Sequence, residues 1–292
     1  MNKEKIAIER LKIASKMSLT YYKMPLVVTT SGGKDSTVCV ALAERAGIPF
    51  EVLHSHTTAD APETVYFVRR EFARLEDNGV SCSIDYPMYR GNRVSMWSLI
   101  PQKMIPPTRL IRYCCSVLKE RSGYNRFVVT GVRWAESTKR QTRGIYEKLA
   151  SDTNHKIILN NDNSDKRLLF ESCRLKAKRV CNPIIDWTDA DVWDYIQSEH
   201  LATNPLYGCG FSRVGCVGCP MAGKKRYAEF ARYPRYRDAY IRAFDRMLEV
   251  RRSNGKDISG AWGTTGKDVY RWWMESGDLP GQIDFEDMED ET

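Results

Sequence analysis

The chain has 292 residues, of which 42% are hydrophobic and 28% charged, so it carries enough apolar surface to fold and is not a wholly disordered polyelectrolyte. Its apolar runs, such as Pro25–Val28 and Phe127–Val129, fall far short of the ~20 residues that span a bilayer. The formal net charge of +8 conceals an asymmetry. Asp284, Glu286, Asp287, Glu289, Asp290 and Glu291 hold six of the 37 acidic residues, so positions 1–283 set 45 basic residues against 31 acidic ones. A body this basic points to a polyanionic partner or substrate, nucleic acid or nucleotide phosphate, with a solvated surface as the plainer reading.

The opening MNKEKIAIERLKIASK alternates charge with aliphatic residues at helical spacing and lacks a signal peptide's apolar core, so a cytoplasmic location is expected. An N-terminal helix is expected over 1–20. PLVVTT at 25–30 reads as a short buried strand. SGGKDST follows at once and opens a helix over 38–46. Further strands are predicted at 50–54, 81–85 and 127–130, with a helix from Pro62 to about Glu76 that starts on the proline its first turn tolerates. Strands alternating with helices imply βαβ units and a mostly parallel sheet.

The pattern loosens between Gly91 and Pro107, read here as an irregular connection. Residues 137–166 are polar and read as a loop, a candidate lid. TDADVWDYIQSEH is a helix capped by Thr188, and further helices are predicted over 236–250 and 267–274. The expected division is an N-terminal helix over 1–20, a nucleotide domain over 21–222, a helical region over 223–280 and a disordered acidic tail over 281–292.

Ser31–Thr37 carries the most chemistry. Two glycines permit a tight turn with backbone N–H groups facing inward. Ser31, Ser36 and Thr37 add hydroxyls, Lys34 a cation, and the following helix its positive N-terminus. This set suits a pyrophosphate group, and Asp35 can help hold magnesium. The spacing is not that of the Walker loop. A second cationic loop, GVRWAESTKRQTR, gathers Arg133, Lys139, Arg140 and Arg143 after a strand, where guanidinium forks would clamp a phosphate or sulfate. Asp60 and Glu63 are either magnesium ligands or, for Glu63, a helix-start residue. Trp187, Trp193 and Tyr195 read as core aromatics.

The nine cysteines do not suggest a disulfide framework. Cys114–Cys115 and Cys216-x-x-Cys219 offer four thiolates for an iron–sulfur cluster or zinc, or none of these if the thiols are simply buried. Cys39 and Cys82 need only a buried-thiol reading. Lys224, Lys225, Arg226, Arg232, Arg235 and Arg237 interleave with Tyr227, Phe230, Tyr233 and Tyr236. The mixture suits single-stranded or flipped nucleic acid, and alternating helix faces produce it equally well.

SGGKDST after the first strand resembles the signature of the PP-loop ATP pyrophosphatases, the adenine nucleotide α-hydrolases. HTTADAPET (56–64), GVRWAESTKRQTR (131–143) and NPIIDWTDADVWDYI (182–196) resemble the phosphoadenosine phosphosulfate (PAPS) reductase branch, although His56, Thr58 and Ala61 depart from its second motif. The resemblance covers about residues 25–220. It implies an α/β fold of the HUP, Rossmann-like type, a mostly parallel sheet flanked by helices, with a helical C-terminal extension. It implies an adenine nucleotide, ATP with Mg2+, bound by Ser31, Gly32, Gly33, Lys34, Asp35, Ser36, Thr37, Arg133, Arg140 and Arg143, with Lys34, Asp35 and Arg133 catalytic. Cleavage would fall between the α and β phosphates.

The paired and C-x-x-C cysteines resemble the 4Fe–4S site of assimilatory adenylyl-sulfate reductases, which implies Cys114, Cys115, Cys216 and Cys219 as ligands. Cys209-x6-Cys216-x2-Cys219 also resembles the cluster segment of DNA phosphorothioation enzymes. On that pattern Cys209 is a ligand or a reactive thiol, with the fourth ligand from Cys114, Cys115 or Cys181. Reductases of the branch usually have a degenerate phosphate loop and a C-terminal E-C-G-x-H segment, neither of which this sequence shows, so an ATP pyrophosphatase in sulfur transfer or nucleic-acid modification is expected ahead of a sulfite-producing reductase. A nucleotide-binding module without turnover is the remaining reading. Expected partners are DNA or tRNA at the basic surface and a sulfur donor or reductant protein, with no membrane.

Overall fold

The computed structural model describes residues 2–120, 122–149, 156–158, 178–256 and 262–275. The acidic tail, Cys173, most of the second half of the 137–166 segment and the side chain of Lys139 lie outside the described residues. Internal packing divides the chain into two units. One comprises residues 1–56, 61–85 and 121–215, the other 57–60, 86–120 and 216–292.

The first unit is built on one sheet. Strands β1 (Leu26–Thr30), β2 (Phe50–Ser55) and β3 (Ser81–Asp85) match the predicted strands closely. The short pair β4 (Met88–Tyr89) and β5 (Asn92–Arg93) forms a separate hairpin in the second unit. Strands β6 (Phe127–Val129), β7 (Tyr146–Leu149), β8 (Lys156–Ile158) and β9 (Lys178–Cys181) complete the main sheet in the order β3-β2-β1-β6-β9-β7-β8. The first five strands of that order pair in parallel, and β7 and β8 run antiparallel. The segment read as a loop over 137–166 therefore contains strands. Their signal was masked because β7 (YEKL) and β8 (KII) are short and charged, with no alternation long enough to register.

Helices α1 (Lys3–Met17), α2 (Lys34–Ala46) and α3 (Pro62–Asp77) pack their apolar faces with the sheet. Leu11, Leu26, Val28, Leu42, Val52, Phe127 and Val129 are fully buried or nearly so in this core. Each such side chain contributes about 1.5–3 kcal/mol when withdrawn from water. Helix α2 starts four residues earlier than its apolar pattern, at Lys34, with Gly33 as its N-cap.

In the second unit the predicted irregular stretch holds α4 (Met96–Lys103), started by a capping box in which Ser95 and Ser98 exchange hydrogen bonds. Pro101 sits inside this helix, where its ring and missing N–H weigh against a helix in the sequence pattern. Helix α5 (Tyr113–Leu118) follows. In the first unit α6 (Thr138–Gln141) and α7 (Asp189–Ser198) come next, and Trp187 and Tyr195 are core aromatics as expected. The chain ends its described part in the second unit with α8 (Lys225–Arg232), α9 (Pro234–Ser253) and α10 (Gly266–Glu275). These pack through Phe230, Tyr240, Phe244 and Trp273, whose rings meet at 4.8–6.1 Å. No helix among the described residues is long and apolar enough to cross a membrane.

Candidate active site

In the first unit, the phosphate loop is shaped by its own hydroxyls. Ser36 Oγ donates to the Gly33 carbonyl at 2.8 Å and accepts from Ser31 N–H at 3.2 Å. Gly32 has φ +72°, and a Cβ there would come within 3.0 Å of Thr64 and 3.1 Å of Val68, so the position needs glycine. Across the loop, Gly131 lets the chain after β6 approach the first turn of α2, since a Cβ there would lie 2.9 Å from the Asp35 carbonyl carbon.

Two residues that sequence reading passed over hold this turn. The Asn204 amide donates to Gly32 O at 3.3 Å and Thr64 Oγ1 at 3.0 Å, and the Tyr207 hydroxyl accepts from Lys34 N–H at 2.8 Å. Tyr207 therefore satisfies one of the orphan donors at the start of α2. Burial, helped by the charges of Asp35 and Asp189, pushes its hydroxyl up to about 12, so it stays protonated.

An ion network lies beneath the loop. Arg133 is 2% exposed and donates from Nε to Asp35 Oδ1 at 2.7 Å and from Nη2 to Asp189 Oδ1 at 2.8 Å. Lys34 Nζ meets the same Asp189 oxygen at 3.0 Å and Asp35 Oδ2 at 3.6 Å. The structure thus brings together Lys34, Asp35 and Arg133, the residues that the resemblance implies as catalytic. Arg133, though, is a buried strut between two carboxylates rather than an open anion clamp. Asp189, read from sequence only as a helix-start charge, is its second partner.

The more exposed cations of the loop are Arg140, paired with Glu136, and Arg143, whose Nε lies 2.5 Å from Glu147 Oε1. Burial lowers the pKa of Arg140, and the nearby charges of Arg213 and Arg143 add to the effect. Arg213 and Arg143 thus place positive charge beside Arg140, an arrangement suited to an anion. Arg213 carried no local sequence signal.

The second unit holds the four-cysteine set. Cys114 and Cys115 ride on α5, while Cys216 and Cys219 bracket a tight turn. Three of its residues are held from outside the turn. Cys216 bridges Asp60, Val217 N–H donates to Ala59 O at 2.8 Å, and Tyr240 Oη donates to Val217 O at 3.1 Å. Gly218 N–H donates to Glu229 at 2.7 Å. Gly218 has φ +74°, and a Cβ would fall 2.4 Å from Phe230 Cζ.

The Cys114–Cys115 hydrogen bond, helped by Lys119 and Arg112, lowers the Cys115 pKa, and the same bond together with burial raises that of Cys114. Burial raises the Cys216 thiol, and that neighbouring cysteine is in turn the chief cause that raises Lys119. Four cysteines in one unit, with the cations of Arg112 and Lys119 near Cys115, are a donor set of the kind that could hold an iron–sulfur cluster. Asp60 accepts Thr57 N–H at 2.8 Å.

Cys209 belongs to the first unit, on an exposed turn, while Cys181 and Cys39 are fully buried in that unit's core. The basic, aromatic segment divides: Lys224, Lys225, Arg232, Arg235 and Arg237 are exposed, while several of its other side chains are packed. Phe230 is 3% exposed, Arg226 is buried over the Trp273 ring at 4.8 Å, and Tyr236 donates to Asp60 O at 2.6 Å. Tyr227 keeps an exposed ring.

Residues 25–222 match the model of the phosphoadenosine phosphosulfate reductase domain. An uncharacterized protein of Methanocaldococcus jannaschii is 30% identical over 280 residues, which cover 90% of this chain and 59% of the relative. This chain thus spans less than two thirds of that relative's length. An adenosine 5'-phosphosulfate reductase of Anoxybacillus flavithermus is 23% identical over 222 residues, 75% of this chain and 80% of that one. Among solved structures, the phosphoadenylyl-sulfate reductase of Candida auris in its phosphate complex aligns with TM-score 0.46 and 18% identity, covering 72% of this chain and 87% of its own.

Proposed function

Because this chain belongs to the phosphoadenosine phosphosulfate reductase domain family, we propose that it is a nucleotide-cleaving enzyme of that family whose substrate is ATP, split into an adenylyl group and pyrophosphate. The observation that carries this reading is the complete SGGKDST loop at the start of α2. A sulfonucleotide has no β,γ-phosphates for such a loop to hold, whereas ATP has.

The chemistry follows from the loop's donors. As the bond between the α and β phosphates breaks, negative charge builds on the departing pyrophosphate. The first-turn N–H groups of α2 and the Lys34 ammonium would neutralise it, and magnesium would share that load. Asp35 would reach magnesium through Oδ2, the oxygen that Arg133 leaves, while Arg133 fixes its orientation. Arg140, Arg143 and Arg213 would draw the α-phosphate or an anionic acceptor.

Cys114, Cys115, Cys216 and Cys219 would hold the 4Fe–4S cluster, which when bound would supply sulfur or electrons to the acceptor. The net positive charge of the chain and the exposed Tyr227 support DNA or tRNA as that acceptor, with a sulfur donor or reductant protein as second partner. The test is product identity with [α-32P]ATP and Mg2+. Wild type should yield adenylyl products and pyrophosphate, and Lys34→Ala should lose at least tenfold in rate. Release of ADP and phosphate, or an unchanged rate in Lys34→Ala, would overturn the reading.

A further inference from the structure

Strand β2 runs into His54-Ser55-His56, and in extended chain residues two apart share a face. His54 pairs in register with Thr30, the residue that leads into the phosphate loop. It is 4% exposed, and its Nδ1 lies 2.9 Å from the Thr30 carbonyl oxygen. A carbonyl only accepts, so in the neutral ring Nδ1 carries the proton and Nε2 presents its lone pair. That Nε2 is buried and has no hydrogen-bond partner among the described residues. The His56 ring is half-buried, with its centroid 6.4 Å from that of His54 and tilted by 52°, and the ligand nitrogens of the two rings lie within 4.8 Å of each other.

We propose that His54 and His56 form a binding site for a divalent transition-metal ion of the cobalt, nickel and zinc class. Three features of the pair select this ligand. A backbone carbonyl on Nδ1 is the outer contact that orients a metal-binding imidazole and aims its Nε2. A buried lone pair without a donor is costly, and a metal ion removes that cost. Two imidazoles favour borderline transition metals over magnesium, which prefers oxygen ligands and retains its waters. Metal–nitrogen bonds of about 2.1 Å span at most about 4.2 Å, so a small rotation of the His56 ring brings the pair into range. Two protein ligands leave further positions for water or an anion, and the site stands beside Thr30 at the carboxyl end of the strand. The inference does not depend on the reaction proposed above.

The test is titration of the full chain with Co2+ after chelator treatment, read by visible d–d absorption and by calorimetry. Cobalt on thiolates adds near-ultraviolet sulfur-to-metal charge transfer, which an imidazole site lacks. The expected result is stoichiometric Co2+ binding without that band, retained in a Cys216→Ser/Cys219→Ser variant. His56→Ala should weaken it at least tenfold, the scale of losing a contact that tunes a metal site. His54→Gln is the second variant, with a thermal melt to verify its fold. Binding that disappears with the cysteines and survives both histidine substitutions would overturn the proposal, as would no binding to the wild-type chain at micromolar Co2+. Pyrophosphate release by a chain that binds no Co2+ would leave the proposed function standing while this site fails.

Discussion

Arg133 and Asp35 are 98 positions apart and meet beneath the phosphate loop at 2.7 Å, guanidinium Nε to carboxylate. The contact ties the strand-following loop at 131–143 to the first turn of α2, so the shape of the phosphate loop depends in part on the buried Arg133. Removing Arg133 takes a buried donor from both carboxylates, although Lys34 stays beside each. Arg133→Ala should therefore cost about 1–3 kcal/mol in urea unfolding. Arg133→Lys, which keeps the charge and loses the fork, should fall between it and wild type. Equal stability of Arg133→Ala and wild type would mean that the network is solvated rather than structural.

Asp189 offers one oxygen to both Lys34 and Arg133. A carboxylate there competes with any phosphate for the same cations. Asp189→Asn should tighten pyrophosphate binding by roughly fivefold, about 1 kcal/mol for an exposed charge pair. Calorimetric titration reads this directly. Weaker binding in the variant would assign Asp189 to holding Lys34 in place.

Gly218 is hemmed in by Phe230 and Tyr240 and held at φ +74°. Gly218→Ala should distort the turn between Cys216 and Cys219, with iron content after anaerobic reconstitution well below that of wild type and a lower melting temperature. Full iron loading in this variant would show that the turn tolerates a Cβ by moving Phe230.

Asp191 illustrates the pH dependence. Lys3 and Thr188 draw its carboxyl down to about 2. The folded pKa lies below the unfolded value of about 3.9, so the contribution is complete above that value and fades as pH falls toward 2. The stability difference between wild type and Asp191→Asn should be constant from pH 7 to 5 and shrink between pH 4 and 2. A difference that persists at pH 2 would place the effect in packing instead.

Much of the first unit was legible because its signals are local. PLVVTT, SGGKDST and the apolar face of α2 follow one another within about twenty residues, and β1 to β3 fall where they were expected. What stayed hidden arrives from far along the chain. Asn204 and Tyr207 reach the loop across 172 and 173 positions, and nothing in NPLYG marks either as its partner. Arg140 and Arg143 were legible as cations but not as partners of Glu136 and Glu147. Helix α4 was concealed by Pro101, and its capping box rests on Ser98 where a glutamate would have been conspicuous. In the basic segment, composition could not separate a stacking surface from a core. In the structure Phe230 and Tyr233 are buried in packing, while Tyr227 and five of the six cations are exposed.

The measurement that bears most directly on the central claim is anaerobic incubation of the iron-reconstituted chain with ATP, adenylyl sulfate and PAPS in parallel, with Mg2+ and a thiol reductant, assaying pyrophosphate and sulfite. The account predicts pyrophosphate from ATP and no sulfite from either sulfonucleotide. Sulfite from adenylyl sulfate or PAPS, with ATP left intact, would contradict it and make the exposed Cys209 the first residue to replace.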